Sequence, residues 1–200
     1  MTSSWHILVL ASLAAYLLGS VPFAVLSSRL FSLADPRTYG SGNPGATNVL
    51  RSGNRKAAVV TLIGDAGKGA AAVLAARMSG FSEFEIGIVA LAVLIGHIFP
   101  IFLKFKGGKG VATAAGALLA LSFWVGLATI ITWAVIAKIS RYSSLGALVA
   151  TLSAPFWALL IEDEGPIIII ILFAIILIAT HRSNIARLLS GKEGKIGKRH

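Results

Sequence analysis

The chain has no cysteine among its 200 residues. Disulfides, thiolate nucleophiles and cysteine-ligated metals are therefore excluded. Charge is scarce as well. Only 13% of residues are Asp, Glu, Lys or Arg, against about 25% in an ordinary soluble domain. Acidic charge is the scarcest, with eight Asp and Glu against 18 Lys and Arg. So few carboxylates do not suggest a metal site, and no cofactor is expected. There are too few charged side chains to coat the core of a soluble protein of this length.

Apolar residues fill the space. They make up 56% of the chain, mean hydropathy is +0.84, and they come in long runs. A spanning helix needs about 20 such residues, so seven would use about 140 and leave about 60 for loops and tails. The expected fold is all-α and polytopic, one membrane-embedded domain over 1–200 with no separate soluble part. The runs lie at about 5–30, 57–76, 86–103, 111–137, 144–161 and 167–180. The first is too long for a signal-peptide core and reads as a retained span. Gly19, Ser20 and Pro22 interrupt its second half, so that end is expected to face the bundle.

The run at 111–137 is 27 residues without a charge. As one helix it would put the basic patches at 104–109 and 138–141 on opposite sides. As a hairpin turning near Leu121–Phe123, it puts all four basic patches (51–56, 104–109, 138–141, 182–199) on one side. The acidic turn at 162–164 and Glu83/Glu85 then face the other side. The positive-inside rule favours the hairpin. The sequence-based expectation is thus seven transmembrane helices, N-terminus outside and C-terminus cytoplasmic. On the same reasoning the formal charge of +10 points to anionic headgroups of the bilayer rather than to nucleic acid.

Chemistry is concentrated in a few polar segments. The loop from Gly40 to Arg51, GSGNPGATNVLR, joins glycines that permit close backbone approach with neutral donors on Ser41, Asn43, Thr47 and Asn48. Arg51 adds a fixed fork suited to phosphate. The segment KFKGGKG brings Lys104, Lys106 and Lys109 together with Gly107, Gly108 and Gly110, a second candidate anion site. Neither GGKG nor GDAGKG has the spacing of a nucleotide-binding P-loop. Aromatic interleaving for nucleic acid is lacking too. Asp65 and Lys68 stand three apart on one helical face inside an apolar run, as a structural ion pair or a support for the glycine loops. His97 precedes the second glycine loop, and His181 stands three residues before Asn184. Either histidine suits a phosphate hydrogen bond, a base or plain packing. These segments lie on one predicted side of the membrane. They suggest a site for a phosphorylated, lipidic substrate, with an anion transporter as the competing class.

Three motifs in order then resemble one family. Ser41-Gly42-Asn43-Pro44-Gly45-Ala46-Thr47-Asn48 with Arg51 is the first. Gly96-His97-Ile98-Phe99-Pro100 with Lys104–Gly110 is the second, and His181-Arg182-Ser183-Asn184-Ile185 with Arg187 and Leu188 the third. Together they are similar to the signatures of the bacterial acyl-phosphate:glycerol-3-phosphate acyltransferases, the PlsY family. Gly19–Pro22 and Asp65–Gly69 fit the same pattern, so the resemblance covers nearly the whole chain.

The resemblance implies a seven-span plasma-membrane enzyme with a cytoplasmic active site. It would act as a monomer and pass an acyl group from acyl phosphate to the sn-1 hydroxyl of glycerol 3-phosphate. The products would be lysophosphatidic acid and inorganic phosphate. By position, Lys104, Gly107, Gly108, Lys109 and Gly110 would grip the acyl-phosphate head through backbone donors and Lys109. Ser41, Asn43, Thr47, Asn48, Arg51 and His181 would bind glycerol 3-phosphate, with Asn184 nearby. Ser41, Arg51, Lys109 and His181 would position the transition state, and none would be a covalent nucleophile. Asp65, Lys68 and His97 would support them.

Overall fold

The computed structural model describes residues 5–161 and 166–196. Every regular element among them is helical. In chain order they are α1 (Trp5–Gly19), α2 (Phe23–Leu30), α3 (Ala46–Leu50), α4 (Arg55–Met78), α5 (Glu83–Ile98), a 3-10 turn (Ile101–Leu103), α6 (Val111–Leu121), α7 (Phe123–Ser140), α8 (Ser143–Ile161), α9 (Ile167–Thr180) and α10 (Arg182–Leu189).

The expected seven spans are not found among the described residues. Five helical units there are long and apolar enough to cross a bilayer: Trp5–Leu30, Arg55–Met78, Glu83–Leu103, Phe123–Ser140 and Ser143–Ile161. A sixth arises only if α9 and α10, bent by 59°, count as one. The hairpin in the 111–137 run does form, and it breaks at Ser122, whose backbone is extended (φ −148°, ψ 103°). But α6 has only 11 residues, about 16 Å at 1.5 Å per residue, half of a ~30 Å hydrocarbon core. Hydropathy alone does not separate a half-length apolar helix from a spanning one. With the count changed, the parity argument for an outside N-terminus and a cytoplasmic C-terminus loses its basis. The acidic residues at 162–164 that supported it lie outside the described residues.

Local signals set several helix ends. Asn54 caps α4, its side-chain oxygen accepting from the Ala57 N–H at 3.0 Å. Ser82 and Glu85 form a capping box at the start of α5. Ser20–Pro22 breaks the first apolar run, and the freed Val21 carbonyl accepts from Lys68 Nζ at 2.9 Å. That is how a broken span stays satisfied away from water.

Small residues draw the helices together. At Gly69 a Cβ would strike the Thr113 carbonyl, and at Gly116 the Ala66 carbonyl. The α4–α6 contact therefore requires bare backbone on both sides. Leu94, Val93, Val73 and Ala90 are buried at the centre. Outward-facing residues such as Leu10, Ile63, Ile131 and Ile168 stay exposed, as suits a surface turned to lipid.

Candidate active site

The three sequence motifs meet at one end of the helix bundle. Asn48 organises the first. It is buried, its side-chain oxygen accepts from the Ser41 N–H at 2.9 Å, and its amide donates to the carbonyls of Pro36 (2.6 Å) and Tyr39 (3.2 Å). Its polar atoms are thus committed to shaping the loop. Gly40 has a φ of +59°, and a Cβ there would overlap the Asn48 oxygen. Thr47 and Ser143 share a hydroxyl hydrogen bond at 3.0 Å, which ties α3 to the start of α8.

The second motif contains a correction. The N–H groups of Gly107 and Gly108 donate to the carbonyls of Ile98 and His97, both at 3.1 Å. These donors close the end of α5 and are not free for an anion. The two glycines are required for another reason. A Cβ at Gly108 would overlap the His97 ring, and one at Gly107 would overlap the His97 carbonyl. Lys104 is exposed with a φ of +53° and lines neither cavity described below; Lys106 reaches the polar one instead. Gly110 caps α6 with a φ of +92°. Val111 and Ala112 line the larger cavity, where the first N–H groups of a helix lack intrahelical acceptors.

In the third motif, His181 is buried and its Nδ1–H donates to the Leu177 carbonyl at 2.7 Å. A carbonyl can only accept, so Nε2 is left as the acceptor of the neutral ring. Lys109 Nζ donates to the Asn184 side-chain oxygen, and Thr180 donates to the Lys109 carbonyl at 3.0 Å. Burial pushes the Lys109 ammonium down to about 8. Arg187 and Arg51 push the same way, and Glu193 opposes them.

Glu193 is a neighbour of these groups that the sequence reading missed. Its carboxylate accepts from Ser144 (2.7 Å), Asn184 (2.6 Å) and Arg187 (2.6 Å). Burial by itself would raise this carboxyl, but the three hydrogen bonds and the Arg187 charge outweigh it and hold it below the ordinary glutamate value. One signal was present: Glu193 is the only acidic residue after position 164.

Two cavities meet here. A cavity of about 390 Å³ has a polar mouth that includes Ser41, Thr47, Arg51, Lys109, His181 and Asn184. Its body is apolar, between α4, α6, α7, α8 and α9. A second cavity of about 380 Å³ carries Arg37, Lys106 and Arg187. Ser41, Asn43 and Lys109 line both. Asp65 and His97 reach the wall of the larger one. Asp65 pairs with Lys68 at 2.8 Å and faces His97 Nδ1 at 3.4 Å. Lys68 lines neither cavity.

The sequence profile of the glycerol-3-phosphate acyltransferase family matches residues 9–191. The chain belongs to that family. Among this acyltransferase's relatives, the glycerol-3-phosphate acyltransferase of Dechloromonas aromatica (strain RCB) is 60% identical over 193 residues, covering 96% of this chain and 98% of that protein. That of Ralstonia pickettii (strain 12J) is 58% identical over 197 residues, covering 96% and 95%. The crystal structure of PlsY (YgiH), an integral membrane glycerol 3-phosphate acyltransferase, in its glycerol 3-phosphate form is 37% identical. It superposes on the acyltransferase with a TM-score of 0.88 over 95% of this chain and 96% of that one. Its lysophosphatidic acid form gives a TM-score of 0.87, covering 95% of each chain.

Proposed function

We propose that the larger cavity is the site of acyl transfer, with the reaction centre at its polar mouth and the acyl tail in its apolar body. The enzyme transfers an acyl group from acyl phosphate to glycerol 3-phosphate. Lysophosphatidic acid and inorganic phosphate are the products. It is a multi-pass inner-membrane protein of phospholipid synthesis.

The observation that carries the site assignment is convergence. Ser41, Arg51, Lys109 and His181, from segments far apart in the chain, line one mouth above an apolar cavity. Both substrates are anions, so the first task is to hold two phosphates together against repulsion. In this reading Arg51 and Lys109 supply positive charge, and the amino end of α6 supplies oriented N–H groups. Ser41, Asn43, Thr47 and His181 place glycerol 3-phosphate, and Asn184 fixes Lys109. Acyl phosphate is a mixed anhydride with a good leaving group, so positioning the hydroxyl against its carbonyl suffices. The oxygen–carbonyl bond forms as the carbonyl–phosphate bond breaks, with no acyl-enzyme. A substrate phosphate takes the hydroxyl proton. The preorganised cations stabilise charge as it develops.

The mouth carries Arg51 and Lys109, with Arg37, Lys106 and Arg187 in the adjoining cavity. By the positive-inside rule this end faces the cytoplasm, against anionic headgroups. All the groups invoked come from one copy of the chain, so a monomer suffices.

The test uses purified protein in sealed vesicles, supplied with acyl phosphate and glycerol 3-phosphate. Lysophosphatidic acid, identified by mass, and equimolar phosphate are expected only when both substrates are present. Solute flux without product would reverse the reading in favour of an anion transporter.

A further inference from the structure

The apolar body of the cavity ends at a definite floor. Leu118, Ala154 and Ile170 line the cavity. The same three residues, with Val125 and Ala158, form a buried hydrophobic cluster against which Trp157 packs. At these three residues the cavity lining meets that close-packed cluster.

Two helices measure the depth independently. On α8, Ser143 lies at the mouth and Ala154 at the floor, 11 residues further on. Along α9, which runs the other way, Ile170 lies at the floor and His181, the residue that caps the helix end, lies at the mouth, again 11 residues apart. At 1.5 Å per helical residue each path is about 16 Å. Half of a ~30 Å hydrocarbon core, the room taken by one acyl chain, is about 15 Å. Between mouth and floor the α8 wall presents Ala147, Ala150 and Thr151, small side chains at helical spacing that leave room for a chain to lie along it.

We propose that Ala154 and Ile170, backed by Leu118, are the stop that sets the length of acyl chain the enzyme accepts. The inference rests on the reading that the tail of acyl phosphate occupies this cavity. A methyl group at Ala154 leaves the last part of the floor open, and a longer side chain there would fill space that the end of a long acyl chain needs. Ile170 closes the floor from the opposite wall, and its truncation would deepen it. Tail atoms that do not fit must leave the apolar wall or displace a close-packed core, and such cores resist added volume.

The test compares octanoyl, palmitoyl and eicosanoyl phosphate as donors to glycerol 3-phosphate with the purified full-length chain and its Ala154→Leu and Ile170→Ala variants. A methylene-scale change of fit in an apolar site alters discrimination by about 10- to 200-fold. Ala154→Leu is expected to lower the palmitoyl-to-octanoyl ratio of kcat/KM by about tenfold or more. Ile170→Ala is expected to raise the eicosanoyl-to-palmitoyl ratio several-fold. Shifts in these opposite directions support the stop. Unchanged ratios in both variants, or ratios that move the same way, would overturn it. Absence of transfer from any of the three donors by the unsubstituted chain would overturn the underlying site reading instead.

Discussion

Two carboxylates anchor two polar clusters, and they differ in kind. Asp65 sits inside the bundle, paired with Lys68 in its own helix and facing His97 on the next. Glu193 sits by the mouth and gathers Ser144 of α8 with Asn184 and Arg187 of α10. The first cluster joins α4, α5 and the break between α1 and α2. The second surrounds Lys109 through Asn184 and Arg187 and bears on its charge. The first ties helices together, and the second, on the proposed function, stands beside the reacting groups. On that reading, burial of a charge does not by itself mark it as catalytic.

The sharpest way to break the comparison is Asp65→Ala. Removing one partner of a buried pair leaves an uncompensated charge and costs about 3–5 kcal/mol. The expected result is loss of folded protein in thermal-stability and yield measurements. A stable Asp65→Ala protein that lacks activity alone would move Asp65 into the reacting site.

Arg51→Ala and Lys109→Ala should do the reverse. Each is expected to lower turnover by about 10²–10³-fold while membrane insertion and thermal stability stay near normal. Turnover like that of the unsubstituted chain in both would remove the two-anion account.

Glu193→Gln tests how the second cluster acts. Lys109 titrates at about 8, and Glu193 opposes the lowering. If the ammonium is the working form, activity is full below that value and falls as pH rises through it. Without the Glu193 charge, the alkaline limb of the kcat/KM profile should move to lower pH. A limb that stays in place would make Glu193 a purely structural clasp. Ser41→Ala should have the smallest effect, a rise in KM for glycerol 3-phosphate equivalent to about 1 kcal/mol. A covalent acyl-Ser41 species trapped during turnover would overturn direct transfer.

What was legible in the sequence follows the range of each interaction. The Asp65–Lys68 pair is local, three residues apart on one helix, and it forms as the spacing suggests. The break at Ser122 was legible because basic patches flank an uncharged run of a given length. The depth of α6 was not, since apolar residues line an internal cavity and a lipid face with the same hydropathy. Gly107 and Gly108 stood out as glycines, but their reason is contact with His97 on a preceding helix, which no local pattern encodes. Asn48 read as a donor because it lies among donors, and the loop fold turns its amide inward. Glu193 escaped notice because its partners lie 6, 9 and 49 residues away and it stands in a tail that reads as basic topology charge.

The shortness of α6 has a further consequence. A helix half as long as a hydrocarbon core is thick, with a floor 11 residues from the mouth along both α8 and α9, gives a chamber about as deep as one monolayer. On the proposed function, a tail held there never crosses the midplane, so donor and product belong to the same leaflet. Each turnover then adds area to one side of the membrane only. Even growth of both sides requires a separate means of moving lipid across.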